Sequence, residues 1–337
     1  MTRKTTTLWA VLLFLVGLAL RLHNLTYHSL WLDEALSVGW ARLPVRAILP
    51  AGLGLVQDKH PPLYYLLLHG WIRLFGDGEV AVRGLSVLAG ALAVPLGYQL
   101  VRHLCGHWAG LAAALLLAFN PFLVWYSQEV RMFGLTTTLL LAASLCLVHA
   151  LGRRGGGWWL AYILLAAASF YTYLFSALVL AAHGVYALVS LIRGTARTAG
   201  QTITLVLSFA AVGALCAPLA WRAWQVGTGE AARGVPFGAL PGQLLSLLRA
   251  FALWKAPWAG PWVTPLLVVL GLLALWGLAT PAHCRRQKAE RPAEASTPGV
   301  SPVHPAPARS ETVGRCPSAF SLSPSSLRAI PRSWPSS

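Results

Sequence analysis

The strongest constraint on this chain is a series of apolar runs, each close to the length that crosses a lipid bilayer. A helix of about 20 apolar residues spans the hydrocarbon core of a membrane. The runs predict eight transmembrane helices, at residues 7–22, 84–101, 108–126, 134–151, 158–174, 175–192, 201–220 and 262–280. The fifth and sixth runs almost touch, so they form either two helices joined by a tight turn or one broken helix. We therefore expect an all-α polytopic membrane protein.

The composition excludes a soluble enzyme. Charged residues make up only 11% of the 337 residues, and hydrophobic residues make up 56%, whereas soluble domains carry about 25% charged residues. The net charge of +16 does not indicate nucleic-acid binding, because the Lys and Arg residues lie at the ends of apolar runs and not in one patch. Membrane lipids are the expected surroundings, and no nucleic acid is expected as a partner.

The basic residues predict the orientation of the chain. Arg3 and Lys4 precede the first run. In membrane proteins the short loops that carry most Lys and Arg lie on the cytoplasmic side. We expect a cytoplasmic N-terminus, a retained first span and a location in the bacterial cell membrane. With this topology, seven acids lie on the outer side. They are Asp33, Glu34, Asp58, Asp77, Glu79, Glu129 and Glu230.

Residues 1–280 are predicted to form one transmembrane module with two long outer loops, at 23–83 and 221–261. Within the first loop, residues 63–75 are apolar but too short to span, which predicts an interfacial helix. Residues 34–48 could form a second interfacial helix, with Pro44 as a break.

Residues 281–337 differ in composition from the rest of the chain. They hold ten of its 22 prolines and show no periodicity, so we expect a disordered Pro/Ser/Arg-rich tail. The abrupt change after His283 suggests an aberrant C-terminus, in which a frameshift or a misplaced gene end replaced further spans. Resequencing that finds an uninterrupted frame, with no hydrophobic product in the other frames, would refute this hypothesis.

The first candidate for chemistry is the acid pair Asp33–Glu34, which follows the first span inside the apolar sequence LWLDEA. Desolvation and mutual repulsion raise carboxylate pKa values, which suits a base that must accept a proton. The alternative is a pair of acids at a helix N-terminus that satisfies free amides.

The second candidate is Lys59-His60, which Pro61 and Pro62 hold at a stiff turn. A cation and a histidine at this place could meet a phosphate, although lipid headgroup contact explains them equally. Tyr64 follows and could line a lipid or sugar groove, or belong to an aromatic belt.

The third candidate is the polar sequence WYSQEVRM at the end of the third span. Glu129 could accept hydrogen bonds from a sugar or bind a metal, and Arg131 could pair with a phosphate or with a carboxylate. The alternative is an internal Glu129–Arg131 ion pair. Among the weaker candidates, Asp77 and Glu79 are expected to cap the next span, and Arg83 is expected to be a snorkelling anchor.

Together the motifs LWLDEA, KHPPLYYLLLHGW with GEVAVRGLSVLAG, and PFLVWYSQEVRMF resemble those of the bacterial dolichyl-phosphate-mannose-protein mannosyltransferase-like family. This family is the glycosyltransferase family 39 group of the GT-C class of membrane glycosyltransferases. The resemblance covers about residues 7–220 and implies a GT-C-like bundle with interfacial helices in its first outer loop.

The resemblance also implies roles for individual residues. Asp33 matches the family's catalytic base, with Glu34 beside it, and Glu129 matches a second acid that binds donor, acceptor or metal. His60 matches the H-P-P loop, and Arg131 matches the arginine of the S-Q-E-x-R-M pattern. The candidate catalytic residues are thus Asp33, Glu34 and Glu129. The candidate donor-binding residues are Lys59, His60, Arg131, Tyr64 and Gln128.

The expected activity is inverting transfer of a sugar from a polyprenyl-phosphate donor to a hydroxyl of a lipid, glycan or protein acceptor. No nucleotide-binding motif is present. A Mg²⁺ or Mn²⁺ ion at Glu129 is an open alternative to metal-free chemistry. The rival hypotheses are a lipid or solute transporter or flippase, and an inactive, truncated family member.

Overall fold

The computed structural model describes residues 3–55, 60–152, 156–192, 198–227 and 242. All of the regular elements in these ranges are α-helices. There are eleven of them: α1 (Arg3–Leu22), α2 (Leu32–Arg42), α3 (Val45–Gly54), α4 (Leu63–Phe75), α5 (Glu79–Cys105), α6 (His107–Phe119), α7 (Pro121–Gln128), α8 (Phe133–Leu151), α9 (Gly156–Thr172), α10 (Ser176–Ile192) and α11 (Ala199–Gly227).

The prediction of an all-α membrane protein is confirmed. Four of the described helices, α1, α5, α8 and α11, are long and apolar enough to cross a membrane, and α6 and α7 together make a fifth candidate. The predicted spans 158–174 and 175–192 are two helices, α9 and α10, of 17 residues each. The last predicted span, 262–280, and the tail 281–337 lie outside the described ranges. Of the segment 221–261, predicted as the second outer loop, residues 221–227 belong to α11 and residue 242 is described.

The third predicted span is broken. Helices α6 and α7 meet at an angle of 53°, because Pro121 lacks the N–H that would continue the hydrogen bonds of α6. Asn120 caps α7 by accepting a hydrogen bond of 3.0 Å from the backbone N–H of Leu123. Helix α7 then ends at Gln128, directly before Glu129. The bend at Pro121 therefore sets the direction of α7 and with it the position of Gln128 and Glu129.

The segment 23–83, predicted as the first outer loop, contains three short helices before the start of α5. Helix α4 has the bounds predicted for the interfacial helix, 63–75. The predicted helix 34–48 is divided into α2 and α3, and Pro44 occupies the N-cap position of α3. A hydrophobic cluster joins α2, α3 and α4 to the start of α5 and to the segment between α7 and α8. Its buried members are Val38, Ala41, Ile48, Tyr64, Tyr65, Leu68, Val82, Val130 and Met132.

Helix α5 packs against α1, α4, α6, α7 and α8. Small residues allow the close approach to α8, as they commonly do between membrane helices. A Cβ atom on Gly134 would lie 2.9 Å from the backbone oxygen of Ser86, which cannot move as a side chain does. The absence of a side chain at Gly134 thus allows the start of α8 to lie close to the backbone of α5 at Ser86.

Replacing Gly134 with alanine should lower the free energy of unfolding by about 1–3 kcal/mol, the usual cost of overpacking. Gly213→Ala in α11 is the matched control, because a Cβ atom there meets nothing within 4 Å. The control should leave stability unchanged or raise it by up to about 1 kcal/mol through helix propensity. Thermal unfolding in detergent measures both, and equal midpoints would contradict the packing argument.

Candidate functional site

A cavity of about 620 Å³ lies at the end of the bundle where α1 ends and α8 begins. Its walls come from the segment after α1, the first turn of α2, the end of α7 and the start of α8. Five predicted site residues contribute to these walls: Asp33, Glu34, Gln128, Glu129 and Arg131. The rest of the lining is Asn24, Leu25, His28, Ser29, Leu30, Trp31, Arg83, Trp125, Tyr126 and Phe133.

A buried ion pair between Glu34 and Arg83 forms the base of the site. The Arg83 guanidinium donates from Nη2 to Oε2 of Glu34 at 2.9 Å and from Nε to Oε1 at 3.0 Å. Its Nη1 donates to Oε1 of Glu79 at 3.0 Å, and to the backbone oxygens of Leu25 at 2.6 Å and His28 at 2.9 Å. The expectation that Arg83 snorkels to the membrane surface is therefore wrong, since a carboxylate within the fold binds its charge.

Glu34 also accepts hydrogen bonds from two backbone N–H groups. That of Trp31, the N-cap residue of α2, lies at 3.3 Å, and that of Val130 lies at 2.9 Å. Glu34 therefore has the role given above as the alternative to catalysis, that of an acid that accepts hydrogen bonds from free amides at a helix N-terminus. Because Val130 separates Glu129 from Arg131, Glu34 also fixes the segment that presents these two side chains.

Asp33 has a different environment from its neighbour. Its side chain is 41% exposed, whereas that of Glu34 is 1% exposed, because successive residues of a helix point about 100° apart. Its Oδ2 atom lies 3.8 Å from Nη1 of Arg131. Asp33 is therefore the carboxylate of the pair that both reaches the cavity and remains accessible.

Arg131 connects two of the predicted motifs. Its Nη2 atom lies 3.4 Å from Nε2 of His60, within hydrogen-bond distance. Its backbone oxygen accepts a hydrogen bond of 3.0 Å from Ser86, whose oxygen lies 3.0 Å from the hydroxyl of Tyr64. His60 thus lies beside the cation of the cavity, while Tyr64 is buried behind it and supports the Arg131 backbone. Lys59 lies outside the described ranges.

Glu129 is buried at the end of α7. Its Oε1 accepts a hydrogen bond of 2.7 Å from the indole of Trp125, and within the described chain its buried Oε2 has no hydrogen-bond partner. Burial raises the pKa of this carboxyl, and the charges of Glu34 and Asp33 raise it further. In the described part of the chain Arg131 pairs with Asp33 and not with Glu129, so the alternative of an internal Glu129–Arg131 ion pair is wrong.

Gln128 ties the end of α7 to the end of α1. Its amide nitrogen donates to the backbone oxygens of Arg21 at 3.0 Å and His23 at 2.8 Å.

The expectation that Asp77 and Glu79 cap the next span is wrong, because the N-cap residue of α5 is Gly78. Asp77 instead pairs with Arg42 at 2.6 Å on the surface, and Glu79 joins the Arg83 network.

Sequence reasoning missed the individual role of Trp125. The spacing of four residues between Trp125 and Glu129 is a signal that could have found it, because such residues share one helix face. For metal binding, no group of three His, Cys, Asp or Glu side chains that could hold an ion occurs among the described residues. Glu129 would supply a single protein ligand.

Comparison with known proteins supports the motif resemblance. Residues 59–221 match the family model described as dolichyl-phosphate-mannose-protein mannosyltransferase. The matched region is 163 of the 337 residues, so just under half of the chain is similar to this family. The matched region contains His60, Glu129 and Arg131, and Asp33 and Glu34 precede it. No curated protein and no solved structure gives a significant match. The apolar helices are those of a membrane protein, and the matched part of the chain is similar to a family of glycosyltransferases.

Replacing Glu34 with glutamine should destabilise the protein by about 3 kcal/mol, because removal of one partner leaves a buried charge less well compensated. The matched control is Asp77→Asn, which breaks the surface pair with Arg42, where both side chains are 57% exposed. Exposed pairs contribute less than about 1 kcal/mol. Denaturant unfolding in detergent compares them, and equal losses would show that the Glu34–Arg83 pair does not stabilise the fold.

Replacing Glu129 with glutamine should stabilise the protein at neutral pH and not at acid pH. A raised pKa favours the neutral carboxyl in the folded state, so its contribution to stability is present below the unfolded pKa of about 4.3. The contribution is lost as the pH rises through the folded pKa. Thermal midpoints of both proteins from pH 4 to pH 8 measure this. If the two thermal midpoints differed by the same amount at every pH, burial would not destabilise the charged form of Glu129.

Proposed function

We propose that the chain transfers a sugar from a polyprenyl-phosphate-linked donor to a hydroxyl group of a lipid, glycan or protein acceptor. The supporting observation is the juxtaposition of Asp33 and Arg131 in one cavity, with 3.8 Å between carboxylate and guanidinium. A base for the acceptor and a cation for the donor phosphate are the two groups that such a transfer needs. The family of residues 59–221 supports the same reaction class.

The proposed reaction is one displacement at the anomeric carbon, with inversion of configuration. The acceptor oxygen forms the new bond to this carbon, and Asp33 takes the proton of the acceptor hydroxyl. The bond between the anomeric carbon and the phosphate oxygen breaks, and the phosphate leaves with the electron pair. Arg131, His60 and Lys59 would stabilise the negative charge that develops on the phosphate.

The two neighbouring acids would then have separate roles. Asp33 is accessible and would be the base. Glu34 is buried and bound by Arg83 and two backbone amides, which makes it a positioning residue for Asp33 and Arg131. Of the two acids that the motif offered for catalysis, Asp33 alone would then take part in the proton transfer.

Glu129 would contact the substrate through its free oxygen. The Oε2 atom lacks a partner within the described chain, so it can accept a hydrogen bond from a sugar hydroxyl. A Mg²⁺ or Mn²⁺ ion is the other occupant that suits this carboxylate, and the donor phosphate would supply further oxygen ligands. Gln128 lies beside Glu129 in the cavity wall and would contact the donor through its carbonyl oxygen, since its amide nitrogen is engaged.

The proposed location is the bacterial cell membrane, with a cytoplasmic N-terminus and the cavity on the outer side. A lipid-linked donor suits that side because it needs no nucleotide. The acids of the site lie at helix ends, at the start of α2 and after α7. Transport pathways tend to carry charges along the middle of the spans, so this placement favours surface chemistry over a transporter or flippase.

Asp33→Asn should lower the rate of transfer by about 10²–10⁴-fold, the usual contribution of a general base. The purified full chain is incubated in lipid vesicles with polyprenyl-phosphate sugars and a mixture of lipid, glycan and peptide acceptors that carry free hydroxyl groups, and the released polyprenyl phosphate is measured. Because Asp33 is partly exposed, its replacement should leave the unfolding midpoint nearly unchanged. Asp77→Asn, on the surface, is the control with full activity.

Three outcomes of this assay bear on the rival functions. Transfer that survives in Asp33→Asn would refute the assigned base. Movement of intact donor across the vesicle membrane without release of polyprenyl phosphate would indicate a flippase. Neither release nor movement with the unmodified chain would indicate an inactive family member.

A further inference from the structure

A second cavity, of about 530 Å³, lies next to the first and contains a different arginine. Tyr126 and Phe133 line both cavities and separate them. Most of its wall is apolar. The lining residues are Arg21, Gly90, Ala93, Leu117, Phe122, Leu123, Tyr126, Ser127, Phe133, Gly134, Thr136, Thr137, Leu140, Tyr173, Phe175 and Ser176.

Arg21 is a buried cation without a counter-ion among the described residues. It is 1% exposed, and its two terminal nitrogens donate to the backbone oxygens of Gly17 and Leu117, both at 3.1 Å. Its Nε atom has no hydrogen-bond partner there. The described ion pairs involve Arg42, Arg83 and Arg131, and Arg21 is in none of them. Carbonyl dipoles compensate a guanidinium only in part.

The surroundings of Arg21 are built closely around it. A Cβ atom on Gly90 would lie 2.9 Å from Nε of Arg21 and would collide with Ser127. Thr136, on the same cavity wall, is buried, and its hydroxyl also lacks a partner within the described residues. A hydroxyl and a guanidinium are both donors, so the two unpaired groups call for an acceptor, and the unpaired charge calls for an anion.

The position of Arg21 indicates which anion fits. It is the last residue but one of α1, and a helix end is where a spanning helix reaches the headgroup level of a bilayer. Buried cations in membrane segments mark ligand sites or pathways. A phosphate group combines the required charge with several acceptor oxygens, and Arg is the preferred partner of phosphate.

We propose that the cavity around Arg21 is a second anion-binding site, which takes a phosphate group independently of the sugar-transfer cavity. Arg21 supplies the charge and Thr136 a hydroxyl donor. The phosphate is either the headgroup of a membrane lipid, whose chains pack on the apolar wall, or free inorganic phosphate. Neither Asp33 nor Arg131 lines this cavity.

The test measures the thermal unfolding midpoint of the full chain in phosphatidylcholine nanodiscs. One arm adds phosphatidate to the nanodisc lipids, and the other adds inorganic phosphate at constant ionic strength. We expect phosphate in at least one arm to raise the midpoint by several degrees. Arg21→Met should abolish this rise, and Arg21→Lys should keep part of it. A rise with phosphatidate alone identifies a lipid headgroup, and a rise with inorganic phosphate identifies free phosphate.

Two further variants make the result decisive. Arg131→Met removes the cation of the first cavity and should leave the rise intact. Thr136→Val keeps the side-chain shape and should reduce the rise even if the Arg21 variants fail to fold. The proposal is overturned if neither arm raises the midpoint. It is also overturned if the rise persists in both Arg21→Met and Thr136→Val, or disappears only in Arg131→Met.

Discussion

The geometry of the site depends on one interaction, the buried pair of Glu34 and Arg83. Arg83 lies on α5, which packs against five other helices of the described chain, and Glu34 lies on α2, in the segment between α1 and α5. The same carboxylate receives the backbone N–H of Val130. One ion pair therefore joins the long apolar helix α5, the short helix α2 and the segment between α7 and α8. Without it, the elements that carry the acid and the cation of the cavity would be joined only by the hydrophobic cluster, the Ser86–Arg131 hydrogen bond and the contact of the two side chains themselves.

This arrangement gives neighbouring residues unlike tasks. Glu34 holds the backbone, so Asp33 can remain open to the cavity. On the other side, Val130 is held, so Glu129 and Arg131 on either side of it point to separate partners, an indole and a carboxylate. The site thus contains two residues held by hydrogen bonds, Glu34 and Val130, with Asp33 before the first and Glu129 and Arg131 on either side of the second.

Much of this could be predicted from sequence because it is local. The apolar lengths identified the helices, the bounds 63–75 came from one apolar run, and the prolines at 44 and 61–62 marked element boundaries. The Asn120-Pro121 sequence carried the signal of a helix break, but the continuous apolarity around it concealed the break.

Other features could not be predicted, since they depend on distant residues. Glu34 and Arg83 are 49 positions apart, and no periodicity connects them. Arg83 consequently resembled any basic residue at the end of a span. Tyr64 resembled a groove residue or a belt residue, whereas its burial against Ser86 depends on the approach of α4 to α5. For the same reason, the sequence alone does not show which acid of the pair is exposed to the cavity, since this depends on how α2 packs against α5.

The order of the two acids on α2 is itself information. Each step along an α-helix rotates the side chain by about 100°, so a shift of register by one residue that turned Asp33 toward Arg83 would also turn Glu34 a further 100° away from it. A reversed pair, Glu before Asp, would present a longer side chain to the cavity and a shorter one to the guanidinium. The composition of the motif would be unchanged, yet the reach of both carboxylates would differ by one methylene group.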